Sequence, residues 1–201
     1  MSQSSLSSVY FINIPENFKL SESAFQIDPT IPLPVQKKLD DDPDSFNMEE
    51  SSPEQVRSGI LTVLAYDKKN PHLNYYRSII TKVKPDIKKE MSEAAILKTK
   101  NEDWELAEEI FMALKGLDPE DSAVTLNLAL FLDQRAENFR LNGMNEDADA
   151  YDNDAAMYYR DAMEADPPIP DAYFNAGFYH LKLNEYAKAK DCFENFLALT
   201  C

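Results

Sequence analysis

Prolines set the rhythm of this chain. Beyond residue 54 they follow charged helix ends in KPD at Pro85, DPED at Pro119 and DPPIPD at Pro167. Proline removes a backbone donor and pushes its predecessor out of helical geometry, so each of these positions closes a helical unit. The first two lie 34 residues apart, and the next interval is 48, one such period plus a 14-residue extension. Fourteen residues are almost four helical turns, so the insert lengthens both arms of a helical hairpin without changing the register at its ends. A repeat of this length predicts stacked units, none of which can bury its own apolar face alone.

Residues 1–53 have a different character. They hold ten serines and six of the twelve prolines, with three lysines against nine acids. Prolines 15, 29, 32, 34, 43 and 53 forbid a long helix there. The segments VYFINI and FQIDPTIPLPV are nonetheless too apolar for a purely disordered tail. The region therefore reads as an extended arm, 1–53, partly pinned to a folded helical domain, 54–201. Its PTIPLPV segment (29–35) is apolar enough to lie in a groove of that domain as an intramolecular ligand. The run Asp40–Asp42 reads as a solvated linker, because a calcium loop also needs a Gly turn and a terminal Glu. From Ser52 the pattern turns helical, with Ser52 as N-cap, Pro53 at the first position and Val56, Ile60, Val63 and Leu64 on one face. Asn70 and Pro71 repeat that start signal for a second helix that ends near Lys84–Pro85.

The periodic segments carry a recognisable residue pattern. In 170–201, Tyr173 opens the unit, Ala176 and Gly177 are the small pair and Tyr186 is the aromatic at the inter-helix turn, followed by Ala189, Phe193 and Phe196. In 88–121 the same places hold Ala94, Ala95, Trp104, Ala107, Phe111, Leu114 and Pro119. In 122–169 they hold Asn127, Leu128 and Ala129, then Ala155, Tyr159, Ala162 and Pro167, with the insertion around Asn142 and Gly143. These three tandem segments resemble tetratricopeptide repeats, and 54–87 resembles a degenerate unit of the same kind. Phe196 and Leu114 depart from the family's usual Ala. The resemblance implies an all-α fold of tandem antiparallel helical hairpins, a TPR-like superhelical array whose first helices line a concave groove. Physically, small residues let antiparallel helices approach and aromatics fill the remaining holes.

Composition narrows function by exclusion. The 20 basic and 36 acidic side chains give a net charge of −16, which is unsuited to nucleic acid or an anionic membrane. Cys192 and Cys201 form no disulfide framework, and His72 and His180 lack partners at metal spacing, so no metal or other cofactor is expected. No stretch approaches a membrane span and the N-terminus lacks a signal-peptide pattern, which reads as a cytoplasmic protein. No nucleophile, base or phosphate loop converges, so the chain is expected not to be an enzyme. The acidic cluster Glu146, Asp147, Asp149, Asp152 and Asp154 reads as a helix N-terminus favoured by the dipole, with a solvated face.

The resemblance directs attention to the groove-facing places. These are Ile96, then Leu126, Asn127 and Leu130, then Phe174, Asn175, Phe178 and Leu181. Asn127 and Asn175 could bond a peptide backbone, but Ser92, Ala123 and Asp171 fill the basic places of a carboxylate clamp. An apolar stripe implies an apolar or amphipathic peptide ligand, and the acidity favours a basic one. Ile96 and Leu126 can equally pack between adjacent hairpins. Phe193, Phe196 and Leu197 face a missing neighbour at the C-terminal face, which a homodimer, the arm or further chain would cover. The expected function is a protein-interaction scaffold. The alternative is a chaperone for a secreted protein, since an acidic chain with three repeats and an N-terminal extension is similar in outline to class II secretion chaperones; the long middle repeat departs from them.

Overall fold

Ser52 and Pro53 start the first helix as the sequence predicts, and the cap is reciprocal. The Ser52 side chain accepts from the Gln55 amide, and the Gln55 side chain accepts from the Ser52 amide. The computed structural model describes residues 6–13, 27–37 and 52–200, so Asp40–Asp42 and Cys201 lie outside the described residues. Among those residues are two strands, β1 (Val9–Ile12) and β2 (Leu33–Gln36), and eight helices. The helices are α1 (Pro53–Tyr66), α2 (Leu73–Val83), α3 (Ile87–Lys100), α4 (Trp104–Leu117), α5 (Ser122–Leu141), α6 (Asn145–Met163), α7 (Pro170–Lys182) and α8 (Tyr186–Thr200). The fold is mostly helical, as expected, and the strand pair is an addition. Helix α2 starts two residues beyond the Asn70–Pro71 signal, because the Asn70 side chain accepts from the His72 amide and closes a turn instead.

Two compact units divide the chain: residues 1–98 with 105–118, and residues 99–104 with 119–201. In the first unit the arm is part of the core. Strands β1 and β2 pair antiparallel, Val9 opposite Gln36 and Ile12 opposite Leu33, and β2 packs along α1. Leu33 and Val35 are fully buried beside Val56, Ile60, Val63, Tyr76, Ile79 and Ile80. The segment 33–36 thus completes the sheet and core of its own unit, and its described packing is on α1. Tyr76 donates its hydroxyl to the Pro32 carbonyl at 2.7 Å, and burial pushes that phenol up to about 12.

The contact between β2 and α1 depends on two residues. The Lys37 amide donates to the Ser8 carbonyl, which fixes the register so that Pro34 faces away from β1, toward α1. An ordinary residue there would carry a buried outward N–H, and proline has none to satisfy. Beneath it stands Gly59, where an added Cβ would lie 2.5 Å from the Pro34 carbonyl oxygen. The strand therefore rests directly on the helix backbone.

In the second unit α5 pairs with α6 and α7 with α8, each pair antiparallel. Phe139 meets Tyr151 while Tyr159 meets Asp133; Phe174 meets Phe196 while Phe178 meets Phe193. Between the pairs, α6 also runs antiparallel to α7, with Tyr179 near Asp152 and the Tyr173 hydroxyl on the Met163 carbonyl. The Lys182 ammonium of α7 bonds Asp133 of α5, joining the two first helices. Alanines 129, 136, 148, 155 and 162 are all fully buried, the small-residue seam that close helix packing requires. Trp104 belongs to this unit, tilted against Phe131 and covered by the Arg135 guanidinium. The α5–α6 hairpin is the longer of the two, its helices 20 and 19 residues against 13 and 15 for α7 and α8.

Three inter-helix turns share one geometry. Glu102, Gly143 and Asn184 have φ of 59°, 75° and 60°, each two residues before the next helix begins. Each is the residue just beyond a helix's C-cap, where a left-handed conformation ends the helix.

Replacing Gly59 by Ala or Pro34 by Ala is expected to destabilise the first unit by about 1–3 kcal/mol each, the first by steric overlap and the second by an unpaired N–H. Urea unfolding of the full chain checks both, and an unchanged midpoint would refute the account.

Candidate aromatic face on α7 and α8

Helical period assigns the residues of α7 to two sides. Ala172, Ala176 and Tyr179 are buried, whereas Phe174, Phe178 and Leu181 line up at i, i+4 and i+7 on the outside. Pro170 occupies the first turn, where its missing N–H is harmless. Gly177 then lets the Phe193 ring of α8 lie on the α7 backbone, since an added Cβ would sit 2.6 Å from a Phe193 ring carbon.

Four phenylalanines converge as a result. Ring centroids are 5.0 Å apart for Phe174 and Phe178, 5.1 Å for Phe174 and Phe196, and 5.2 Å for Phe178 and Phe193. The pairs are tilted or edge-to-face, the arrangement aromatic quadrupoles favour. The cluster is not closed over: Phe174 is 40% exposed, Phe178 53% and Leu197, one turn after Phe193, 54%. Isolated exposed apolar residues are ordinary, but a continuous patch of touching rings marks a contact surface.

The other sequence-predicted residues fall elsewhere. Leu181 and Asn175 share α7 with the cluster, but the Asn175 side chain donates to the Asp171 carbonyl of its own helix at 2.8 Å. Leu126 is only 7% exposed, packed within α5's buried side, and Asn127 and Leu130 are half-buried. Ile96 is exposed on α3 in the first unit. Phe193 and Phe196 are the partners of Phe174 and Phe178, and the sequence had already set Phe193, Phe196 and Leu197 on a face without a neighbour. The sequence did not point to a cleft of about 370 Å³ in the first unit, lined by Leu61, Ala65, Met91, Leu106, Ile110 and Ala113. Its polar end holds Ser8, Gln36 and Thr62, with the Gln36 amide donating to the Ser8 hydroxyl at 2.7 Å.

Flanking electrostatics hold the hairpins in place. Within the acidic cluster Asp152 is buried, where it bonds the Arg140 guanidinium and raises that group's pKa, while its other oxygen has no partner. The solvated-face reading thus needs correction at this residue, which closes the α5–α6 hairpin. The Tyr179 hydroxyl donates to the Asp152 carbonyl, and its burial pushes it up to about 12. At the α7–α8 turn Glu185 bonds Lys188 and His180, each at 2.7 Å, and these contacts lower its pKa. Among the described residues no group of three metal-ligating side chains forms, and no helix is long and apolar enough to cross a membrane.

Arg140→Ala is expected to cost about 2 kcal/mol, less than the about 3–5 kcal/mol of a fully buried pair because Arg140 is partly solvated. Thermal unfolding measures this, and Arg140→Lys should recover part of it. Glu185 contributes stability that is complete above the ordinary carboxylate range and fades as pH falls through its lowered value. Glu185→Gln should therefore flatten part of the acid limb of a stability–pH curve; an unaltered limb would contradict the assignment. Comparison with known protein families, curated proteins and solved structures gave no match to this chain.

Proposed function

We propose that this chain is a non-enzymatic protein-interaction scaffold of tetratricopeptide type, and that the α7–α8 face receives an apolar or amphipathic segment of a protein partner. The observation that carries this reading is the cluster of four touching phenylalanines left half open to solvent. An exposed aromatic patch loses free energy to water unless something covers it, and aromatic anchors dominate the energetics of protein contacts. The bound segment would offer apolar side chains at helical spacing to the stripe Phe174, Phe178 and Leu181. The net charge of −16 adds long-range attraction for a basic partner and raises the encounter rate.

Titration of labelled helical peptides, apolar on one face and lysine-rich on the other, into the full chain tests the reading. Saturable binding is expected, weakened about tenfold or more by Phe178→Asp. Phe11→Asp, which changes an exposed phenylalanine of the other unit, should leave it intact. Equal binding by both variants would overturn the assignment of the face.

A further inference from the structure

The cleft in the first unit is a built feature that the protein contact on α7–α8 does not use. Gly116 of α4 lies directly on the end of α1, where an added Cβ would collide with the Leu64 carbonyl. The Arg77 guanidinium of α2 donates to the Gly116 carbonyl at 2.8 Å and fixes that junction. From there the apolar walls run back along both helices, through Ala65 and Leu61 on α1 and Ala113, Ile110 and Leu106 on α4, and Met91 of α3 completes them. Spacings of three and four residues put each set on one helix face. At about 370 Å³ the cleft has the size of a small-molecule site, for which about 300–1,000 Å³ is usual.

Its polar groups select the class of ligand. The Thr62 hydroxyl gives its single proton to the Ser58 carbonyl at 3.0 Å or the Gln36 side-chain oxygen at 3.2 Å, so it meets a ligand as an acceptor. Glu109 is the only charged side chain among the described residues of the lining. Among the described residues its carboxylate has no hydrogen-bond or ion-pair partner. Its neighbours three and four places away on α4 are Glu105, Leu106, Met112 and Ala113, so no cation of that helix reaches it. A carboxylate beside a hydroxyl acceptor calls for a donor without acceptors of its own, which is an ammonium group. A carboxylate or phosphate ligand would meet like charge at Glu109, and the net charge of −16 repels it further.

We propose that this cleft binds a small primary amine with an apolar body, an alkylamine or an arylalkylamine. The body replaces water along the walls of α1 and α4, and the ammonium donates to the Glu109 carboxylate. The site lies wholly in the first unit, and neither it nor the α7–α8 face depends on the other.

Calorimetric titration of the full chain with n-octylamine, n-octanol and n-octanoate tests it, with the Met91 methyl NMR resonance followed as a marker of the cleft. Octylamine is expected to bind saturably and shift that resonance, octanol to bind about threefold to tenfold more weakly, and octanoate not to bind. Glu109→Gln should lower the octylamine affinity to that of octanol. Glu164→Gln, the same charge change in the other unit, should leave it unaltered. Leu106→Asn, at a wall residue 38% exposed, should weaken octylamine and octanol alike with helical circular dichroism unchanged. Phe178→Asp should leave all three titrations as they are, so failure of the peptide-binding face and failure of this site are read separately. The proposal is overturned by the absence of saturable octylamine binding, by octanol or octanoate binding as tightly, or by an octylamine affinity indifferent to Glu109→Gln. An unshifted Met91 resonance overturns it as well, since the amine is then held elsewhere.

Discussion

Close approach to a helix backbone, permitted only where a side chain is missing or small, is the constraint on which both units depend. Gly59 admits strand β2 onto α1, Gly177 admits the Phe193 ring onto α7, and a seam of alanines lets α5 and α6 run side by side. Dispersion between close surfaces is small per atom pair but accumulates along such seams. A methyl group added at these glycines would force apart elements whose remaining contacts assume that spacing. The aromatic face follows from the same rule. With Phe193 seated on Gly177, the Phe174 and Phe178 rings meet it edge-to-face and remain partly exposed.

Much of this architecture could be read from residues in order. Ser52 with Pro53, the small pair at 176–177, the turn at Asn142–Gly143 and the long helices on either side of it all correspond to elements in the structure, because caps, turns and helical periodicity are local properties. The strands could not be read this way. VYFI and LPVQ are short, one contains proline, and they pair across more than twenty residues, so only the tertiary context of α1 makes them a sheet. Of the candidate site, Phe174, Phe178 and Leu181 lie together and open to solvent, whereas Leu126 is buried. Periodicity assigns a residue to a side of a helix; it does not say whether another helix occupies that side.

The acidic character of the chain is unevenly spent. Asp152 is turned inward to Arg140, and Asp121 caps α5 by accepting from the Val124 amide at 3.0 Å. Glu185 ties the α7–α8 turn through Lys188 and His180. These carboxylates organise hairpins locally, while the others set the long-range field. The exposed phenylalanine cluster lies in residues 170–200, where three lysines nearly balance four carboxylates, so apolar contact there proceeds with little electrostatic opposition.

Pro34 has a consequence beyond its own unit. A two-stranded sheet exposes two edges, and an edge with free donors is a template on which further strands of other molecules can assemble. On the β2 side the outward positions are Pro34 and Gln36. Pro34 has no amide proton and its carbonyl is covered by α1 at Gly59, while the Gln36 carbonyl accepts from the Gln55 side chain at 3.2 Å. At Pro34 that edge offers an incoming strand neither partner of a hydrogen-bonded pair. The residue that seats the arm on the helix therefore also protects the chain against growth of the sheet into a fibril from this side.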